Sequence, residues 1–152
     1  MNKHHQTMFE YDNWANNQVI DVMVNHDMID DRVWSLMSHI IWAKGLWMER
    51  IRLIAPTGYT AFDIIPMQEL KSQGEKNHTD FVNFITTVTD WGTVVEYKDS
   101  QGNPWNSTYE EILTHIANHG TYHRGQINSR LKELGVQPPR IDHILFTRAE
   151  RV

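Results

Sequence analysis

The chain has 152 residues, which is enough for one domain with a substantial core, and we expect residues 1–152 to form a single domain. It contains no cysteine, which excludes disulfides, thiolate metal ligands and a protein thiol nucleophile, so any metal must be held by nitrogen or oxygen. The formal net charge of −5 at pH 7 argues against a nucleic-acid partner, because such surfaces need clustered Lys and Arg.

Two features of the chain bear on its location. No run of about 18 apolar residues occurs, so no membrane-spanning segment is predicted. The first residues lack the apolar stretch of a signal peptide. We therefore expect a soluble cytoplasmic protein with no membrane partner.

The first half of the chain predicts two helical segments. The first runs from about Gln6 to His26 and carries apolar side chains on more than one side. The second begins at Asp30, a good N-cap residue, and its apolar positions recur every three or four residues. Pro56 and Gly58 end it.

The second half predicts two more helical segments and a hairpin. The third segment begins near Pro66. Residues 93–105 combine β-prone side chains with turn-forming residues and predict a short β-hairpin. The fourth segment runs from about Ser107 to Leu134, and the tail from Pro138 onward is expected to be irregular. This pattern predicts an all-α fold with a short β-hairpin before the last helix.

Histidines four residues apart are the most informative feature of the fourth segment. At about 100° per residue, His123 falls within the apolar stripe, His119 at its edge and His115 further out. His39 lies beside the stripe of the second segment, and small Ala43 leaves room one turn on. Three inward imidazoles with open positions are typical of a catalytic zinc site.

Other interpretations of the histidines stay open at this point. A lone inward histidine is more often a hydrogen-bonded core residue than a ligand. Glu75 and His78 have the Glu-x-x-His form of di-iron bundles, but those need a second copy and two further glutamates. The segment from His115 to His119 lacks the glutamate of the zinc-protease motif. The remaining histidines are expected to be solvated or in loops: His4, His5, His26, His78 and His143.

The chain resembles the DinB family of damage-inducible proteins, which belongs with the YfiT-like metalloenzymes. The likeness covers nearly the whole chain, in order. It is carried by Tyr11-Asp12-Asn13-Trp14-Ala15-Asn16, Ser38-His39-Ile40, the hairpin Val95-Glu96-Tyr97…Gly102, and Asn118-His119…His123-Arg124-Gly125-Gln126.

The resemblance implies a fold and a metal site. It implies a four-helix bundle with an up-down-down-up arrangement, often as a homodimer. It also implies a divalent metal, nickel or zinc, on three histidines that match His39, His119 and His123. His115 matches a position that is often histidine in relatives but lies outside the usual ligand triad.

The resemblance is less specific about function. Related proteins include transferases and isomerases that depend on small thiols such as bacillithiol or mycothiol, and a chain without cysteine is compatible with a nucleophile brought in from outside. Fold does not fix function, however. The alternative is a non-catalytic protein in which the ion ties the second and fourth segments together. The substrate stays unknown at this stage.

Two further expectations concern packing. Arg124 is expected to be structural, fixing the tail to the fourth segment, with Asp142 as its candidate partner; binding of an anionic substrate by Arg124 is the alternative. The surplus apolar residues of the first segment, together with Trp14, Trp34, Trp42 and Trp47, predict a homodimer contact. Coverage of these residues by the tail is the alternative.

Overall fold

A computed structural model describes residues 2–27, 30–61 and 63–149. It confirms an all-α bundle with a two-stranded antiparallel hairpin before the last long helix. The elements in chain order are α1 Asn2–Asn25, α2 Asp31–Ile51, α3 Met67–Thr87, β1 Val94–Lys98, β2 Pro104–Thr108, α4 Tyr109–Glu133 and α5 His143–Ala149. None of the helices in the described ranges is long and apolar enough to cross a membrane.

Local sequence signals set the starts of α2, α3 and α4. The Asp30 side chain accepts a hydrogen bond from the Val33 backbone N–H, which caps α2 as predicted. Pro66 directly precedes α3. Thr108 and Glu111 form a reciprocal capping box at the start of α4.

Helices α2 and α4 run antiparallel along their shared interface. His39 of α2 lies against His123, and Trp47, about two turns further along α2, lies against His115. The histidines of α4 therefore face α2 along its length.

The directions of α1 and α3 follow from contacts of the same kind. Helices α1 and α3 are antiparallel, and α3 is parallel to α2, which gives the up-down-down-up arrangement. The contacts that establish this are Phe9 with Phe81, Asp21 with Lys71, Ile41 with Asn77, and Arg52 with Asp80. The long connection between α2 and α3 makes the parallel pairing possible.

The buried apolar residues form two main clusters, one toward each end of the bundle. The first contains Val19, Met23, Met37, Ile41, Leu70, Ile127 and Leu131. The second contains Phe9, Met48, Phe81, Ile85, Val95, Ile112 and Leu113, and it includes the hairpin. The hairpin is thus part of the core and fixes the end of α2 that lies near it.

The tail corrects one expectation. It was predicted to be irregular, but it contains α5, and Phe146 of that helix is buried against Tyr11 and Trp14. The Tyr11 hydroxyl donates to the backbone carbonyl of Ile141, which fastens the tail to α1. The tail therefore covers part of the apolar surface of α1 from which a dimer contact was inferred.

Candidate metal centre

Three histidines from two helices converge at the α2–α4 interface. His39 comes from α2, and His119 and His123 lie one turn apart on α4, as their phases predicted. Each offers a ring nitrogen, and these three atoms all lie within 4.8 Å of one another. The Nε2 atoms of His39 and His119 are 3.1 Å apart. Tetrahedral zinc bonds put ligand nitrogens roughly 3.3 Å apart, so small ring rotations suffice to hold one ion.

A hydrogen bond at the far side of the ring orients one of the ligands. His123 Nδ1 lies 2.9 Å from Gln126 Oε1. An amide oxygen only accepts, so Nδ1 carries the proton and Nε2 keeps its lone pair for a metal. Such partners fix the tautomer and the ring direction in established metal sites.

The electrostatic environment keeps His39 and His119 uncharged near neutral pH. Burial, followed by the neighbouring His123, His39 and His115, lowers the pKa of His119 to about 4, although Asp12 opposes this. Burial and His123 also lower the pKa of His39. Because metal ligation requires neutral imidazole, these rings need lose no proton near neutral pH.

His115 lies next to the triad without belonging to it. Its ring centroid is 5.4 Å from that of His119 and 5.4 Å from that of Trp47. Partial burial and then the charge of Arg50 lower its pKa. The structure thus agrees with the phase argument, which placed His115 furthest from the core.

A buried charge cluster, formed by Asp12, Asn16, Lys44 and Arg124, lies beside the triad. The Lys44 ammonium donates to Asp12 Oδ2 at 2.8 Å, and Arg124 Nη1 donates to Asp12 Oδ1 and to Asn16 Oδ1. Burial alone would raise the pKa of Asp12, but Lys44 and Arg124 outweigh it and hold the value at about 2. The cluster joins α1, α2 and α4.

The cluster corrects the predicted partner of Arg124. Asp142 was the candidate, but it is exposed, and Arg124 pairs with Asp12 instead. Arg124 is 1 % exposed, and its guanidinium lies 5.6 Å from the Tyr11 ring centroid. Sequence reasoning missed Asp12 and Lys44 as functional neighbours of the triad. The available signal was that both interrupt otherwise buried faces of their helices.

The remaining histidines form no second centre. His4, His26 and His143 are exposed, as expected. His5, expected to be solvated, is buried against Trp91, and His78, expected in a loop or on the surface, is half-buried on α3. Glu75 is engaged by the side-chain amides of Asn13 and Asn17. Across the described ranges, the triad is the one His, Asp and Glu group close enough to hold an ion.

These features define a class: a four-helix bundle with a three-histidine site able to hold a metal. Comparison with known sequences shows the family. The sequence profile of the DinB family matches residues 1–151, and the chain belongs to the DinB family. It is similar to "Protein DinB" of Bacillus subtilis (strain 168), with 24% identity over an alignment of 161 positions that covers 91% of each chain.

Gly120 is predicted to be essential to the charge cluster. A Cβ atom added there would lie 2.5 Å from Asp12 Oδ1 and 2.9 Å from Arg124 Nη1. We expect Gly120→Ala to lower the free energy of unfolding by about 1–3 kcal/mol, as overpacking does. Urea denaturation measures this.

Gly125 provides the matched control on the same helix. A Cβ atom added there meets nothing within 4 Å. Gly125→Ala should leave stability unchanged or raise it by up to about 1 kcal/mol, because alanine favours helix. Equal effects of the two substitutions would contradict the role given to Gly120.

The lowered pKa of His119 predicts that acid destabilises the metal-free protein. Unfolded histidine binds a proton below about pH 6.5, whereas folded His119 does so only near pH 4. Unfolding in this window takes up protons, so stability falls as pH drops from about 6.5 to 4. The slope of unfolding free energy against pH reports the protons taken up on unfolding, and in His119→Gln this uptake should be smaller by up to about one proton. An unchanged slope would show that His119 is not protected from protonation.

Proposed function

We propose that His39, His119 and His123 hold one divalent ion, zinc or nickel, and that the protein is a thiol-dependent transferase or isomerase. Neutral imidazole nitrogens suit both metals. When bound, the ion would lower the pKa of an incoming low-molecular-weight thiol, of the bacillithiol or mycothiol type, and favour its nucleophilic thiolate form.

The number of ligands is the observation that carries this proposal. The group contains three side chains, with no fourth His, Asp or Glu among the residues that the structure describes. Structural zinc sites are closed by four protein ligands, whereas catalytic sites leave a position for water or substrate. The chain has no cysteine, so the thiol must come from outside.

The residues around the triad have definable tasks in this function. Gln126 holds the proton on His123 Nδ1 and directs Nε2 into the site. The rings of Trp42 and Tyr122 lie 5.5 Å from His39 and 5.1 Å from His123, so they limit access of water to these ligands. Tyr122 is 65% exposed and is therefore free to contact a ligand.

Cobalt substitution tests metal binding and thiol binding together. Full-length protein loaded with Co²⁺ should bind one ion, and 2-mercaptoethanol should then produce a near-ultraviolet sulfur-to-cobalt absorption band. His39→Ala and His123→Ala should abolish stoichiometric binding, because two imidazoles hold the ion far more weakly. His26→Gln, at an exposed histidine, is the control and should behave like the wild type.

The same experiment decides between the proposal and a structural ion. One observation favours a structural ion: α2 supplies one ligand and α4 supplies two, so an ion would also hold these helices together. Tight metal binding with a raised melting temperature but no thiol band would establish the structural role. Lack of metal binding by the wild type would exclude both.

A homodimer and a cytoplasmic location belong to the same proposal. Exposed apolar side chains at the C-terminal ends of α1 and α4, Val24 and the C-cap residue Leu134, support a dimer. Light scattering across a hundredfold dilution should give twice the chain mass of 17.9 kDa. A mass of one chain at every concentration would contradict the predicted dimer.

A further inference from the structure

We propose that Arg50, together with Trp47, Tyr97 and His115, forms an anion-binding subsite beside the metal centre. In this proposal the subsite receives a carboxylate of the thiol ligand. The inference rests on the proposed function for the identity of that ligand, whereas the subsite itself is argued from the contacts of Arg50.

The guanidinium of Arg50 packs against two aromatic rings that also contact each other, with ring centroids 5.0 Å apart. It lies 4.5 Å from the ring centroid of Trp47 on α2 and 4.7 Å from that of Tyr97 on β1. Its Nη2 donates to the backbone carbonyl of Lys98 at 2.9 Å. The plane and position of the group are therefore fixed before any ligand binds, which reduces the entropy cost of recognition.

Arg50 differs from the other shielded cations in having no carboxylate in direct contact among the described residues. Lys44, Arg124 and Arg130 are buried or half-buried, and each contacts an aspartate. Arg50 is also half-buried, yet it forms no ion pair with any described residue. The carboxylate of Asp99 acts on Arg50 only from beyond ion-pair distance, and its oxygens accept hydrogen bonds from within the hairpin turn instead. A partly desolvated cation costs free energy unless an anion accompanies it. The aromatic rings offset part of this cost and leave the remaining N–H donors for a ligand.

A continuous line of rings joins Arg50 to the triad. Centroid distances are 5.4 Å from His119 to His115, 5.4 Å from His115 to Trp47, and 4.5 Å from Trp47 to the guanidinium. The separation from the triad to Arg50 is thus at most about 15 Å. An elongated low-molecular-weight ligand can therefore span this separation.

These constraints define a class of ligand. A guanidinium presents parallel N–H donors that match a carboxylate. Under the proposed function, the ion on the triad would bind the sulfur at the other end of the same ligand. The ligand is therefore an elongated low-molecular-weight thiol that carries a carboxylate remote from its sulfur.

Glutathione and 2-mercaptoethanol are suitable probes, because only the first is elongated and carries carboxylates. Dissociation constants are measured from the sulfur-to-cobalt band of the Co²⁺-loaded full-length protein. Arg50→Gln should weaken glutathione binding about tenfold or more, the usual effect of losing a hydrogen bond to a charged group. It should leave 2-mercaptoethanol binding within about twofold. The dissociation constant of Arg50→Lys for glutathione should lie between those of the wild type and Arg50→Gln, because lysine keeps the charge but loses the paired N–H donors of the guanidinium.

Arg52→Gln is the matched control. Arg52 lies two residues further along the chain, carries the same charge and pairs with Asp80 on α3, away from the hairpin. Its loss should not change glutathione binding. An equal effect of Arg52→Gln and Arg50→Gln would reduce the result to overall charge and overturn the subsite.

A second measurement needs no substitution. Glutathione ethyl ester, which lacks one carboxylate charge, should bind wild-type protein more weakly than glutathione does. The subsite is overturned if the ester binds equally well, or if Arg50→Gln weakens both thiols alike. If neither thiol produces a band with the wild type, the proposed thiol function fails and this inference fails with it. If 2-mercaptoethanol produces a band but Arg50→Gln does not change glutathione binding, the thiol function stands and only the subsite fails.

Discussion

The buried pairing of Asp12 with Lys44 and Arg124 is the interaction on which the arrangement of the site depends. Lys44 lies on α2 five residues after His39, and Arg124 directly follows His123 on α4. One carboxylate from α1 therefore fixes the register of the two helices that supply the imidazoles. Removing one partner of such a pair leaves an unpaired buried charge, which costs about 3–5 kcal/mol. The close approach of Gly120 lets α4 come near enough for this pairing.

The proposed metal site and helix packing are coupled through this arrangement. The three imidazoles have no carboxylate partner within the described ranges, and burial keeps His39 and His119 uncharged. Their positions are instead set by the packing of α2 on α4 and, for His123, by the hydrogen bond with Gln126. A site positioned by the core is largely preformed, so ion binding need not reorganise the bundle.

Sequence reasoning predicted the helices and the convergence of the triad because both follow from a period of 3.6 residues. It failed where a residue departs from the usual behaviour of its type. Asp12, Lys44 and Arg124 belong to residue types that usually lie at the surface, yet mutual pairing makes their burial possible. His5 is buried because Trp91, far away in the sequence, covers it, and α5 forms where Phe146 reaches Tyr11. Such contacts between distant segments leave no local signal.

The charge of the cluster bears on what the centre can hold. Two cations and one carboxylate leave one net positive charge buried next to His119, which itself is neutral. In a medium of low dielectric constant this charge opposes a bare divalent ion and favours an ion that carries an anionic ligand. Neutral imidazoles do not reduce the charge of the metal, so the anion must come from outside the triad. Arg50, at the far end of the line of rings, adds a second positive centre on the same path. The electrostatics of the site therefore favour an anionic exogenous ligand over a metal held by protein alone.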